Sequence, residues 1–170
     1  MLISELVEAL RSGRLLQDTY PSVDLPQVFE SSELVELKWE PWRACASGMV
    51  RLLDDRHGDV AVVFAREVTA FSYENSDKRW PGFGSRLVEE VQYGGDQAGV
   101  EATFMTAPKE RMSFRCGSLE VATVQAGPGE LPLSIPDYSV MDESAVEGLQ
   151  PTLFREVELR TFTHVGNVLP

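Results

Sequence analysis

The run Val60-Ala61-Val62-Val63-Phe64-Ala65 constrains this chain more than any other segment. Side chains alternate between the two faces of a strand, so a strand made from this run is apolar on both. The run has strand length and ends at Arg66, too short for an apolar helix. Such a strand must sit at the centre of a sheet, with apolar material packed on each side. Met49 to Leu53 precedes it, separated by Asp54-Asp55-Arg56-His57-Gly58-Asp59. Two apolar runs joined by a polar, glycine-containing connection predict an antiparallel hairpin.

Other segments extend this pattern. Glu33 to Glu40 alternates, with Val35, Leu37 and Trp39 on one face and Glu36, Lys38 and Glu40 on the other. That predicts a half-buried strand with one wet side. Glu67 to Tyr73 carries Thr69, Phe71 and Tyr73 on one side. Three further strands are predicted over Val100–Met105, Arg111–Cys116 and Leu119–Gln125, the last two as a tight hairpin at Gly117-Ser118. Arg155 to Val165 closes the chain as a strand, with Val157, Leu159, Thr161 and Thr163 on one side and His164 opposite.

Helical signals are short. Ser4 can cap a helix through about Ser12, with Ile3, Leu6, Val7 and Leu10 on one stripe and Gly13 at the C′ position. Leu87, Val88 and Val91 have helical spacing, which predicts a second short helix over Arg86–Tyr93. The expected fold is α+β: a mainly antiparallel curved sheet or small barrel of about eight strands, with an N-terminal helix and one further short helix.

The length of 170 residues fits one domain, 1–170, and the chain shows no internal repeat or interdomain linker. A hydrophobic fraction of 43% and a charged fraction of 25% are ordinary for a globular protein. Residues 127–150 form an acidic connection containing Pro128, Pro132, Pro136 and several glycines. No signal peptide or membrane-length apolar run is evident, so a cytoplasmic protein without membrane association is expected. Cys45 and Cys116 are too few for a disulfide framework and are expected as buried thiols.

Charge is distributed in blocks. Residues 116–154 hold no Lys or Arg but contain Glu120, Glu130, Asp137, Asp142, Glu143 and Glu147, a local charge of −6. Residues 15–37 are also base-free and hold Asp18, Asp24, Glu30, Glu33 and Glu36, for −5. These windows therefore carry −11 of the chain's −12. Such a surface repels nucleic acid and anionic membrane and favours a basic protein partner. The richest basic stretch, Lys38 to Arg115, holds 11 bases against 12 acids, so it is not a positive patch by composition. A sheet can still gather Arg51, Arg66, Arg111 and Arg115 on one face.

Residues that carry chemistry are sparse. His57 with Asp55 and Asp59 has suitable ligand types for a metal, but consecutive turn residues seldom aim inward together, and Gly58 marks a hairpin tip. Gly82-Phe83-Gly84-Ser85 lacks the order of a nucleophile elbow and the third glycine of a dinucleotide fingerprint. Cys116 follows Arg115, but its strand position favours packing over reactivity. Lys78, Arg79, Trp80 and Phe83 form a basic-aromatic cluster of the kind found at binding hot spots. No catalytic residue, cofactor or metal is predicted.

These features predict a non-enzymatic binding protein that presents an acidic face to a basic partner, as toxin-neutralising immunity proteins do. Asp137, Asp142, Glu143, Glu147, Trp80 and Phe83 are the expected contacts. One alternative is a small-molecule-binding barrel or enzyme whose pocket is lined by Trp39, Trp42, Phe71, Phe104 and Phe114. Another is a structural or assembly subunit whose acidic connection mediates association. The sequence does not set the oligomeric state.

Overall fold

A computed structural model describes residues 1–17, 20–29, 32–52, 58–75, 86–96, 99–107, 110–126 and 156–166. Among them, helix α1 (Ile3–Arg11) and helix α2 (Leu25–Phe29) precede nine strands. These are β1 (Ser32–Glu40), β2 (Cys45–Arg51), β3 (Val60–Arg66), β4 (Ala70–Asn75), β5 (Arg86–Asp96), β6 (Gly99–Ala107), β7 (Glu110–Cys116), β8 (Ser118–Ala126) and β9 (Val157–Gly166). They form one antiparallel sheet in the order β4-β7-β6-β5-β1-β2-β3-β8-β9. The α+β expectation holds, with nine strands described instead of about eight.

The central strand lies where its composition requires. β3 pairs with β2 and β8, and Val60 through Ala65 are all buried. Ala61, Val63 and Ala65 face a cluster that includes Val91 of β5, Phe104 of β6, and Met112 and Phe114 of β7. Val60, Val62 and Phe64 face a second cluster with Leu6, Ala9 and Leu10 of α1. Each face of β3 therefore has its own apolar cover. α1 is too short to be stable alone, so its helicity depends on this docking. Full burial of Leu6 and Leu10 stabilises the contact by about 1.5–3 kcal/mol each.

α1 begins one residue before the predicted cap. Leu2 is the N-cap residue, and its N–H donates to Glu5 Oε2 at 2.7 Å. Ser12 ends the helix, and Gly13 has φ 69°, the left-handed C′ conformation. α2, which the sequence did not signal, carries Phe29, and this ring packs edge-on against Phe104 with ring centroids 5.5 Å apart.

The predicted helix over Arg86–Tyr93 is strand β5. Val88 pairs with Thr106 and Glu90 with Met105, which leaves Glu89 as an inserted residue. This bulge changes the local spacing from two to three, so Val88 and Val91 both turn inward. A bulged strand has thus imitated helical spacing. β1 also shifts register, between Leu34 and Glu36. Glu40, assigned to the wet face, is buried.

Gly117-Ser118 is a corner and not a tight hairpin. β7 pairs with β4 and β6, whereas β8 pairs with β3 and β9. The chain leaves one half of the sheet and enters the other at this point. Close packing demands glycine here: a Cβ on Gly166 would lie 2.5 Å from Gly117 O. A Cβ on Gly99 would lie 2.5 Å from Cys116 O, and Gly99 has φ +134°. Residues 21–23 run beside β9 at one end of the strand order. Phe162 N donates to Pro21 O at 3.0 Å, and Val23 N donates to Thr163 Oγ1 at 3.0 Å. Those bonds occupy backbone and hydroxyl groups that an edge strand would otherwise present. Among the described residues, no helix is long and apolar enough to cross a membrane.

Candidate functional site

The sheet register brings three ionisable groups together under α1. Phe64 pairs with Glu120, and Glu120 pairs with His164. Arg66, two residues after Phe64, falls on the same face of β3. Arg66 Nε donates to Glu120 Oε1 at 2.8 Å, and Nη2 donates to Oε2 at 3.1 Å. Its Nη1 donates to the carbonyl oxygen of Arg11 at 2.7 Å, at the C-terminal end of α1. The guanidinium carbon lies 5.1 Å from the centre of the Phe64 ring. This bidentate geometry is the strong form of an arginine–carboxylate pair.

Glu120 is 1% exposed. Burial raises its pKa above the usual carboxylate range, while Arg66 and His164 pull it back down. His164 Nδ1 lies 3.8 Å from Glu120 Oε1, beyond hydrogen-bond range. Both His164 ring nitrogens are buried without a hydrogen-bond partner among the described residues. Arg11 extends the polar cluster toward Glu40, at 3.6 Å, and Cys45 Sγ lies 3.5 Å from the same Glu40 oxygen. The arrangement ties α1 to β1, β2, β3 and β8 through polar contacts.

A different polar surface covers the outer face of β5, β6 and β7. β7 alternates regularly, so Met112 and Phe114 enter the core while Arg111, Ser113 and Arg115 face outward. Opposite them on β6 stand Met105, Thr103 and Glu101, and opposite Thr103 and Glu101 on β5 stand Gln92 and Gly94. The Thr103 and Ser113 hydroxyl oxygens are 2.9 Å apart. A cavity of about 390 Å³ is lined by Gln92, Tyr93, Gly94, Gly95, Gly99, Glu101, Thr103, Arg111 and Arg115. Among the described residues, no carboxylate lies within ion-pair distance of either arginine.

A groove of about 270 Å³ separates α2 from β5. Pro26, Phe29 and Val91 give it apolar surface, and Gln27, Glu89 and Glu90 give it polar groups. Inside the sheet, Leu34, Val50, Val63, Phe104, Met112 and Phe114 contribute to the lining of a cavity of about 20 Å³. That volume is on the scale of a single water molecule.

The expected contact residues Trp80, Phe83, Asp137, Asp142, Glu143 and Glu147 lie outside the described residues, as do Asp55, His57 and all of 127–150. The proposed aromatic set is partly gathered. Phe104 stacks on Phe114 with centroids 6.0 Å apart, Phe71 packs against the same cluster, and Trp42 is 79% exposed on a separate turn. Of the four arginines considered for one face, Arg111 and Arg115 share a surface. Arg51 approaches Glu33 at 3.5 Å, and Arg66 is committed to Glu120. Asp59 Oδ2 accepts from Ala126 N at 2.7 Å, a local tie between the β2–β3 connection and β8. Cys45 and Cys116 are free and buried, in separate apolar clusters.

Sequence reasoning missed the Arg66–Glu120–His164 cluster. Glu120 was counted in the acidic window, but it is an internal, paired residue. The signal was present in Leu119-Glu120-Val121-Ala122: a lone acid in a run that is apolar on both faces needs a buried partner. No protein-family model matches the chain, and neither the curated proteins nor the solved structures contain a match.

Proposed function

We propose that this protein is a non-enzymatic binding module that presents an acidic surface to a basic protein partner. The carrying observation is the segregation of charge into the two base-free windows. Removing buried Glu120 from the count leaves five acids in the second window, Glu130, Asp137, Asp142, Glu143 and Glu147, with no base among them. Asp24, from the first window, is exposed just before α2.

The groove between α2 and β5 lies beside that first window and suits the same partner class. Its apolar surface can hold the aliphatic stem of a lysine or arginine, with the charged head at Glu89 and Glu90. The immunity-type inhibitor, which covers a basic surface with an acidic one, is the functional type with this physical character.

Affinity capture from native lysate identifies the partner, and association kinetics then test the mode of binding. Neutralising Asp137, Asp142, Glu143 and Glu147 to Asn or Gln together should lower the on-rate and flatten its salt dependence. Fold stability should stay nearly constant. An on-rate insensitive to both salt and the quadruple change would show that these acids do not steer association.

A further inference from the structure

We propose that the outer face of β5, β6 and β7 binds a small hydroxylated metabolite carrying one oxyanionic group, with Arg111 and Arg115 holding the anion. The two arginines lie on one face of β7 with Ser113 between them, and both line the same cavity. Their cross-strand neighbours include Glu74 and Glu101, yet no ion pair to either arginine forms among the described residues. Both guanidinium forks therefore remain available. A planar fork donates two parallel bonds to a carboxylate or phosphate.

Charge and size define the ligand class. The cavity lining contains two arginines and one glutamate, hence +1, in a chain of −12. One anionic group suits that balance, while the remaining charge of the chain opposes a polyanion. The volume of about 390 Å³ lies in the usual range for small-ligand pockets. Glu101 accepts hydrogen bonds from ligand hydroxyls. Gln92 Nε2 donates to Glu90 Oε1 at 2.7 Å, which leaves its own amide oxygen as a further acceptor. Gly94 keeps the cavity open beside Glu101, since a Cβ there would meet nothing within 4 Å. Sugar acids and sugar phosphates share the required chemistry of one oxyanion and several hydroxyls.

Neither arginine nor Gly94 belongs to a base-free window, so this site is independent of the acidic-surface reading. Calorimetric titration of the full chain with glucuronate, glucose 6-phosphate, glucose and inorganic phosphate tests it. At least one anionic sugar should bind with a Kd of about 1 mM or tighter. Glucose and inorganic phosphate should each bind at least about tenfold more weakly. A preference for glucuronate identifies a carboxylate ligand, and a preference for glucose 6-phosphate identifies a phosphate ligand. Arg111→Ala and Arg115→Ala should each weaken that binding by about tenfold, through loss of a charge-assisted contact. Gly94→Val should abolish it with both arginines retained, because the new side chain enters open space in the cavity. Circular dichroism confirms that each variant is folded. Absence of binding by both anionic sugars, binding that survives the double arginine variant or Gly94→Val, or phosphate binding as tight as that of the preferred sugar would overturn the proposal.

Discussion

Arg66→Ala should be among the most damaging single changes to this fold, and its cost should depend on pH. The substitution removes two bonds to Glu120, at 2.8 and 3.1 Å, and one to the Arg11 carbonyl, at 2.7 Å. Glu120 is 1% exposed in the parent protein, and His164 at 3.8 Å is its remaining ionisable neighbour in the cluster. Breaking a buried pair in this way costs about 3–5 kcal/mol, largely because a charge is left without compensation. The folded-state pKa of Glu120 is already raised above the ordinary 4.5, and loss of Arg66 raises it further. The folded variant then binds its proton more tightly than the unfolded chain does. The contribution of Glu120 to its stability is therefore fully present below 4.5 and is lost as pH rises through the elevated folded pKa. The difference from the parent protein should be largest above the elevated folded pKa and should shrink as pH falls through it, because Glu120 is then neutral in the variant. Urea unfolding of both proteins at matched pH values measures this difference, and most other titrating groups cancel. The double variant Arg66→Met/Glu120→Leu should recover most of the loss, since an apolar pair can replace a buried ion pair at little cost. A single-variant loss below about 1 kcal/mol, or one unchanged as pH falls through that pKa, would refute this account.

Phe64→Ala should lower stability by about 3–5 kcal/mol in the same assay, because the ring is 2% exposed beneath α1. Gly99→Ala should cost more than about 1 kcal/mol, since φ is +134° and the new Cβ would meet Cys116 O; thermal unfolding reads this directly. Burial pushes the Cys116 thiol up to about 12 and raises Cys45 as well, so neither should react with a disulfide reagent at about pH 8 until the protein is unfolded in guanidinium. Both thiols favour folding below the ordinary value of 9.0, and that contribution is lost as pH rises toward the folded values.

The sequence was most legible where one residue type had one reading. Val60 to Ala65 admitted only a doubly buried strand, and the structure places it between two apolar clusters. It was least legible where a local irregularity changed the period. The bulge at Glu89 set Val88 and Val91 three apart on one face, which is also helical spacing. Gly117-Ser118 has hairpin composition, but hairpin and corner differ in partner choice, and partner choice is non-local. The Arg66–Glu120–His164 cluster was hidden for the same reason. Its members come from three strands and meet only through the register Phe64–Glu120–His164. An acid beside apolar residues reads as surface until its cation is placed.

The corner at Gly117 also bears on how fast the protein folds. β1, β2 and β3 can pair in sequence as neighbours, and so can β5, β6 and β7. β3 must wait for β8, which follows the corner, and β1 must wait for β5. Each wait requires closure of a long loop before any contact rewards it, which places the chain among slow, high-contact-order folders. During that interval the bare edge of β3 exposes the most aggregation-prone stretch of the sequence. Asp59 and Arg66 stand immediately on either side of Val60–Ala65. Flanking charges of this kind act as gatekeepers against pairing between chains. Arg66 thus has an early task, discouraging intermolecular strands, before Glu120 arrives to claim it.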